Sequence, residues 1–241
     1  MENPRSLILE TSGRVGQVAL AEGNTILRLR LLDESRRHAR DLAPSVAALL
    51  AQLGWKPREL HLVVVNRGPG SYTGLRVGIM SAKTMAYATG AAIIAVEGFG
   101  AIASQAPGDV ALIDVIADAQ QDRIYHQSFR RETSGGAVSA TSELVIQPFA
   151  AWLTSRATSA WVSGPGLYRF RERLGATIRV IEATGWDPRP EALLAISLAR
   201  FRAGQPDSVV SLEPLYLRPS SAEEKWDKLS ASGYRPKTES R

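Results

Sequence analysis

Residues 66 to 78 read Asn66-Arg67-Gly68-Pro69-Gly70-Ser71-Tyr72-Thr73-Gly74-Leu75-Arg76-Val77-Gly78. An apolar run, Leu60 to Val65, precedes this stretch, and an amphipathic pattern from Leu75 to Ala88 follows it. The three segments together predict a strand, a tight loop and a helix. Such a junction points backbone N–H groups at whatever lies in front of the helix. It suits an anion site, and it equally suits a tight packing turn.

The glycine spacing fits neither of two common phosphate loops. Gly74 is followed by Leu75 and Arg76, where a Walker A loop needs Lys and then Ser or Thr. Gly74 also lies one residue too late after Gly68 and Gly70 for the dinucleotide-binding fingerprint. The stretch is therefore interpreted as a rigid turn.

Pro69 would fix that turn, and either Ser71 or Thr73 would cap the helix after it. Small residues then recur at every fourth position along the helix, which allows a second backbone to approach closely. That backbone could belong to the same chain or to a partner across an interface. The small residues are Gly74, Gly78 and Ala82.

Composition narrows the functional classes. The chain has 241 residues, of which 44% are hydrophobic, enough for one large core or two modest ones. It has no cysteine, which excludes disulfides, thiolate metal sites and cysteine nucleophiles, and its 3 histidines have no metal-binding spacing. No apolar run approaches the roughly 20 residues that cross a bilayer, and the first residues do not resemble a signal peptide. We expect a cytoplasmic protein with no membrane contact and no metal site.

The net charge of +5 raises the hypothesis of a direct nucleic-acid interface, since Lys and Arg neutralise phosphates. The favoured interpretation is general solvation or steering of a partner. Arg169, Arg171 and Arg173 alternate with other residues on polar faces, and another basic group follows Ser220.

Element order predicts an internal duplication. The first half has three strands, Ser6 to Glu10, Gly16 to Ala21 and Thr25 to Leu32, then a helix from Asp41, the strand before the glycine loop, its helix, and a strand at Ala91 to Val96. The second half repeats this order, with strands at Val110 to Ile116, Arg123 to Arg131, Val138 to Ile146, Ala160 to Ser163 and Thr177 to Ile181, and helices at Pro148 to Ser155, Leu167 to Leu174 and Pro190 to Arg202. Two βββαβα units predict two lobes around a cleft, as in the actin-like, sugar-kinase and heat-shock ATPase superfamily with its ribonuclease H-like lobes. The predicted divisions are 1–106, 107–219 and a flexible polar tail at 220–241, with Leu215 to Leu217 as a short edge strand.

A cleft of this kind normally binds a nucleotide, and two turns of the sequence could supply its phosphate contacts. In one interpretation Glu10 faces a metal and Ser12 contacts phosphate, and in the other Glu10 to Gly13 are turn residues. The second hairpin, Asp118 to Asp122, has no glycine to let backbone approach a phosphate. Only half of a phosphate clamp is present, so ATP hydrolysis is not favoured. Asp114, Asp118 and Asp122 are interpreted as turn and solvent-facing acids.

The stretch from Gly68 to Arg76 closely resembles GPGS[FY]TGLR, the signature of TsaB, formerly YeaZ, a bacterial family of tRNA threonylcarbamoyladenosine biosynthesis proteins. Further resemblances follow in chain order and cover nearly everything except the tail. They are Glu10 to Ser12, His38 to Pro44, Asp118 to Tyr125 and Pro214 to Arg218. The chain departs from the family at Glu10, where aspartate is usual, at Gln120, where arginine is usual, and at Ala39-Arg40, where serine and glutamate are common. It also lacks the metal-binding H-x-x-x-H pair of the catalytic relative.

The resemblance implies an actin-like fold with a reduced second lobe and a non-catalytic role. Such a protein supports the paralogous catalytic subunit TsaD, together with the ATPase TsaE, in transferring a threonylcarbamoyl group to adenosine in tRNAs that read codons beginning with A. The complex, rather than this chain alone, would then use ATP and Mg, and this chain would contact tRNA through the complex. A homodimer of the isolated chain remains an alternative state, and a nucleotide-dependent kinase or ATPase remains the alternative function.

In that family the helices of the first lobe pair with the equivalent helices of the catalytic subunit. The resemblance therefore implies a partner interface and, separately, a vestigial phosphate corner. The interface residues would be Gly68, Gly70, Ser71, Tyr72, Thr73, Gly74, Arg76, Gly78 and Ala82. The phosphate corner would be Glu10, Thr11 and Ser12.

Overall fold

The apolar run before the glycine loop forms a buried strand of the first of two sheets. The computed structural model describes residues 2–32 and 38–217. The first lobe contains β1 (Arg5–Glu10), β2 (Gln17–Glu22), β3 (Thr25–Leu31), α1 (His38–Leu53), β4 (Leu62–Gly68), α2 (Tyr72–Thr89), β5 (Ala92–Glu97) and α3 (Gly98–Ser104). Its strand order is β3-β2-β1-β4-β5, in which β1 runs antiparallel to β2 and parallel to β4.

Both faces of this sheet are covered, which explains the uninterrupted apolar runs Leu7 to Leu9 in β1 and Leu62 to Val65 in β4. Alternate residues such as Leu7 and Val63 pack under α1 and α2. The intervening residues, such as Ile8 and Val64, face the opposite side of the sheet. The glycine loop therefore begins at the carboxyl end of a fully buried strand.

The second lobe contains β6 (Leu112–Asp118), β7 (Arg123–Arg131), β8 (Val138–Ala140), β9 (Val145–Pro148), α4 (Phe149–Ser155), β10 (Trp161–Ser163) and α5 (Leu167–Phe170), and α6 (Pro190–Arg202) follows it. Its sheet has the order β10-β6-β7-β8, with β9 also paired to β7. The predicted two-lobed α/β architecture is confirmed. The second lobe is the reduced one, because β8 and β10 have 3 residues each and α5 has 4.

Three local predictions differ from the structure. The segment predicted as one strand from Val138 to Ile146 is divided into β8 and β9. Thr177 to Ile181 forms an isolated bridge, Val162 to Val180, in place of a strand. Leu215 to Leu217 forms no strand, although the Leu215 N–H donates to Arg67 O at 2.8 Å. The predicted tail, 220–241, lies outside the described residues.

Helix α6 follows the second lobe in sequence but packs against the first. Its Leu193, Leu194 and Leu198 are at most 1% exposed and pack with Ile8 and Val64. The chain then returns along the first lobe through residues 203–217, which we call the C-terminal strap. The predicted extent of the second lobe, 107–219, therefore includes residues that belong to the core of the first.

Candidate functional site

The turn after β1 and the loop after β4 lie side by side, because these two strands are parallel neighbours. The Glu10 carboxylate sits between them and is 1% exposed. Its Oε1 accepts hydrogen bonds from Ser12 N at 2.6 Å, Ser12 Oγ at 2.7 Å and Gly13 N at 3.1 Å. Its Oε2 accepts one from Asn66 Nδ2 at 2.5 Å. Burial raises the pKa of Glu10, and the hydrogen bonds from Ser12 and Asn66 oppose that rise.

This carboxylate faces its own turn and not the open cleft. Asn66 also donates to Ser12 Oγ at 2.9 Å and accepts from Gly68 N at 2.9 Å, so it joins the turn to the glycine loop. The geometry matches the turn interpretation of Glu10 to Gly13 rather than the metal-facing one. The corner behaves as a closed polar network inside the first lobe.

The glycines of the loop are required by the same corner. A Cβ on Gly70 would lie 2.5 Å from Ser12 Cβ, and one on Gly74 would lie 2.0 Å from Thr11 O. A Cβ on Gly78 would lie 2.2 Å from Thr11 Oγ1. Helix α2 can therefore approach the end of β1 only where side chains are absent.

Two hydrogen bonds hold the start of α2 against this turn. Thr11 Oγ1 donates to Gly74 O at 2.7 Å, and Ser71 N donates to Ser12 O at 2.9 Å. Ser71 is the N-cap of α2, since its side chain accepts from Gly74 N at 3.3 Å, which resolves the choice between Ser71 and Thr73.

The small residues of α2 thus pack within the chain. Gly74, Gly78 and Ala82 are all buried, with Ala82 in the core under α1 and α2. Their burial accounts for the small side chains without a partner, and their place in a partner interface stays a prediction. Packing inside one chain and packing across an interface need the same small residues, so the spacing did not distinguish them.

The surface that α2 leaves open is its opposite side. Met80 is 59% exposed and Tyr87 is 86% exposed, and α1, which contacts α2, has exposed small residues of its own. We call this surface the two-helix face, defined by Pro44, Ala47, Ala51, Met80, Thr84 and Tyr87. Of the residues predicted for the interface, Gly70, Ser71, Thr73 and Arg76 are exposed next to its end, and Gly68 is buried.

Tyr72, half-buried at the start of α2, belongs to an aromatic cluster that the sequence did not predict. Its ring stacks on Tyr216 of the C-terminal strap with centroids 4.8 Å apart, and the Arg76 guanidinium lies 5.0 Å above it. Lys83 Nζ donates to Val210 O and Leu212 O at 3.0 and 3.1 Å, which fixes the strap along the helix. The strap therefore borders the two-helix face.

The second hairpin has a tight left-handed turn without glycine. Gln120, Gln121 and Asp122 have φ of 62°, 51° and 58°. Non-glycine residues avoid this region, so the turn needs support from outside. Arg169 pairs with Asp118 at 2.9 Å, and Arg173 pairs with Asp122. These two arginines were predicted to be general solvating charges, and the structure instead gives them a supporting role.

Asp114 was predicted to be solvent-facing and is in fact 4% exposed. Its Oδ1 accepts from Ser128 Oγ at 2.7 Å and lies 3.3 Å from His126 Nε2, while Arg156 Nε is 3.8 Å from Oδ2. Burial by itself would raise the pKa of Asp114, but hydrogen bonds from His126 and Ser128 outweigh it and hold the pKa below its ordinary value. The signal in the sequence was its position inside an apolar strand.

The cleft between the lobes is bridged by the chain's own side chains. The Arg14 guanidinium of the first lobe lies 5.2 Å from the Tyr168 ring of the second. Tyr168 donates to Asp187 Oδ2 at 2.6 Å, and burial together with this bond raises the pKa of Tyr168 to about 12. Gln17 Nε2 donates to Pro188 O at 3.2 Å and adds a second link.

Within residues 2–32 and 38–217, no group of three or more histidine, aspartate or glutamate side chains is placed to hold a metal ion. Across the same ranges no helix is both long enough and apolar enough to cross a membrane.

Comparison with known proteins gives one family match and several relatives. Residues 32–156 match the family described as TsaD: tRNA N6-adenosine threonylcarbamoyltransferase. The chain is 27% identical to the tRNA threonylcarbamoyladenosine biosynthesis protein TsaB of Bacillus subtilis, over 91% of this chain and 96% of that protein. It is also 27% identical to TsaB of Escherichia coli, over 93% of this chain and 98% of that protein.

Solved structures agree on the fold. YeaZ from Pseudomonas aeruginosa superposes with a TM-score of 0.74 at 23% identity, and the match covers 89% of this chain and 100% of that one. Together with the family match, this confirms the predicted actin-like, ribonuclease H-like fold class.

Proposed function

This chain belongs to the TsaD family, in the group of bacterial proteins named TsaB, and from that membership we propose that it takes part in forming N6-threonylcarbamoyladenosine in tRNA. Its role is that of a non-catalytic accessory subunit. The tRNAs concerned are those that read codons beginning with A, and the work is done in the cytoplasm.

The observation that carries the accessory role is the state of the corner around Glu10. In a nucleotide-hydrolysing protein of this fold, the first turn must present a carboxylate and backbone N–H groups to metal and phosphate. Here the N–H groups of Ser12 and Gly13 are bound to Glu10, and the carboxylate is buried against Asn66. A phosphate would have to displace a complete set of short internal hydrogen bonds.

Two further features agree with this proposal. The second hairpin offers Gln120 and Gln121 where a glycine-rich phosphate loop would be expected. Arg14 and Tyr168 meet across the cleft in which a nucleotide would lie. The alternative function, a nucleotide-dependent kinase or ATPase of the same fold, is not favoured for these reasons.

The partners in this proposal are the catalytic paralogue TsaD and the ATPase TsaE, with tRNA reached through the complex. The two-helix face is the proposed docking surface for the catalytic subunit. Met80 and Tyr87 are large and exposed, and the exposed residues of α1 include Ala47 and Ala51, so a pair of helices can approach closely and bury apolar area. The same face would serve a homodimer when the partner is absent.

The decisive experiment is a reconstituted modification reaction. The catalytic subunit, TsaE, tRNA, the threonylcarbamoyl donor, ATP and Mg are mixed with and without this chain, and modified adenosine is quantified by mass spectrometry of digested tRNA. We expect modification to depend on this chain. Equal modification in its absence would contradict the proposal.

A second measurement separates the accessory role from the enzyme alternative. Calorimetric titration of the isolated chain with ATP and Mg should give no heat of binding, because the corner is already saturated by internal hydrogen bonds. Stoichiometric binding, followed by release of phosphate, would support the kinase or ATPase instead.

A further inference from the structure

Among the described residues, one long sheet edge has no segment paired to it, whereas two other edges are covered. The β5 edge is covered by the C-terminal strap and α6: Asp207 N donates to Ile93 O, Asp207 Oδ2 accepts from Ala95 N, and Arg200 donates to Ala95 O. The β10 edge is covered by residues 179–181, where Val162 N donates to Arg179 O and Ile181 N to Val162 O. Uncovered edges template pairing with other chains, so folds usually cover them or keep them short.

Strand β3 is not short, and nothing in residues 2–32 or 38–217 covers its outer edge. It has 7 residues and, within the described part of the chain, pairs with β2 alone. Leu29 is 45% exposed and Leu31 is 63% exposed. Large apolar side chains on an open edge are the feature that an additional strand would bury.

The register of β2 and β3 shows which backbone groups face outward. Leu32 N donates to Gly16 O at 2.7 Å, and antiparallel ladders alternate hydrogen-bonded and non-hydrogen-bonded pairs. Arg30 opposite Val18 is therefore a hydrogen-bonded pair. The N–H and C=O groups of Leu29 and Leu31 point away from β2, toward the open edge.

The two faces of this strand carry different kinds of side chain, one charged and one apolar. Arg28 and Arg30 lie on one face, opposite Leu20 and Val18, while Leu29 and Leu31 lie on the other. Both arginines are exposed, and neither forms an ion pair with any residue in 2–32 or 38–217. The edge therefore offers a positive face and an apolar face at alternating positions.

We propose that β3 is a strand-addition site that accepts an extended segment of a partner protein in which acidic and apolar side chains alternate. The partner's acidic residues would lie beside Arg28 and Arg30, and its apolar residues beside Leu29 and Leu31. A second copy of this chain does not fit. Pairing β3 with itself, parallel or antiparallel about Leu29, would set arginine beside arginine, and like charges directly opposite are destabilising.

The test uses the full chain and two labelled, capped octapeptides, one alternating Glu and Val and the other alternating Lys and Val. Fluorescence anisotropy should show binding of the Glu peptide, weakened by salt, and at least about tenfold weaker binding of the Lys peptide. Equal affinity for the two peptides, or binding of neither, would overturn the proposal.

Two sets of variants locate the site. The Arg28→Glu, Arg30→Glu double variant changes only exposed side chains and should reverse the preference to the Lys peptide. Leu29→Pro removes an outward N–H without removing a bond to β2 and should abolish binding, whereas the matched Leu29→Val keeps the N–H and should retain it. Thermal melts by circular dichroism verify folding of each variant, and the charge reversal remains decisive if Leu29→Pro does not fold.

An unchanged preference in the double variant would reject the site. Sedimentation supplies a further outcome, because a dimer of the parent chain that is lost in Leu29→Pro would replace the proposed partner with a second copy. None of these substitutions touches the two-helix face. Failure of this proposal is therefore distinct from failure of the accessory role.

Discussion

Gly78 and Thr11 show at the residue scale why the glycine stretch has its composition. Thr11 Oγ1 is bonded to Gly74 O and occupies the space where a Cβ on Gly78 would lie. Because Thr11 has backbone on one side and a buried helix on the other, it has little room to move. One missing methyl group thus allows the helix to pack on the strand end.

We predict that Gly78→Ala lowers the free energy of unfolding by about 1–3 kcal/mol, the usual cost of overpacking. Urea denaturation measures it. In a Thr11→Ala background the added methyl meets no oxygen, so the same substitution should cost much less. An equal cost in both backgrounds would show that Thr11 is not the contact.

A matched control is Gly100→Ala in α3, where a Cβ would meet nothing within 4 Å. Here the substitution should be neutral or stabilising by up to about 1 kcal/mol, because alanine is the better helix former. Gly78→Leu places a larger side chain against Thr11, so it should destabilise the monomer more than Gly78→Ala does.

Asp114 provides a prediction about pH. Its folded pKa lies below its ordinary value of 3.8, so its ionised form is favoured by folding. The associated stability is fully present above 3.8 and is lost as the pH falls through the folded pKa. Asp114→Asn should therefore cost about 1–3 kcal/mol near neutral pH and progressively less in acid.

Urea denaturation of the two proteins at neutral and at strongly acidic pH tests this prediction. Asp109→Asn is the matched control, since Asp109 is exposed. A difference between the parent chain and Asp114→Asn that did not change with pH would contradict it.

At the scale of elements, α2 has two sides with different tasks. The side that carries its small residues packs on β1 and β4, and the exposed side contributes Met80, Thr84 and Tyr87 to the two-helix face. The C-terminal strap runs beside it, held by Tyr72 and Lys83. The buried residues of α2 hold the helix in place, so the exposed residues on its other side are available to contact a partner.

We predict that the Met80→Glu, Tyr87→Glu double variant abolishes co-purification with the catalytic subunit, because charge on a surface that becomes buried is costly. Both side chains are exposed, so the melting temperature should stay within a few degrees of the parent. Ala195→Glu, on the exposed side of α6, is the control and should bind normally. Retained binding by the double variant would exclude the two-helix face as the docking surface.

At the scale of the whole molecule, one lobe is not one continuous stretch of sequence: α6 follows the second lobe in the chain but packs in the core of the first. The first lobe needs α6, whose leucines cover Ile8, Val64 and Ile94. The chain must therefore be almost complete before the first core is closed. Arg14, Tyr168 and Gln17 then tie the two lobes together.

We predict that a fragment of residues 1–106, the first lobe as divided by sequence, fails to fold alone. Without α6, the face of the sheet that carries Ile8 and Val64 would be exposed to water. Adding residues 190–217 through a flexible linker should restore a cooperative thermal transition by circular dichroism. Cooperative unfolding of the 1–106 fragment by itself would refute this.

Features that depend on residues close together in the sequence were predicted well, and features that depend on contacts between distant residues were not. Strand periodicity, the helix after the glycine loop and its N-cap depend on neighbouring residues, and these predictions were close to the structure. The burial of Asp114 was not predicted because aspartate is usual in turns, although its apolar neighbours in β6 indicate a buried strand position. Arg169 and Arg173 reach aspartates 51 residues away, which no local pattern reveals.

The sequence by itself determined the order of elements, the duplicated two-lobed plan and, through Gly68 to Arg76, the family. These properties follow from local periodicity and from a motif that is continuous in the chain. Tertiary structure alone decided that the side of α2 with the small residues faces Thr11, 63 residues from Gly74. It also decided that, among the residues described, the edge at β5 is covered and the outer edge at β3 is not. Either side of a helix and either edge of a sheet satisfies the local pattern, and only the packing of distant segments selects between them.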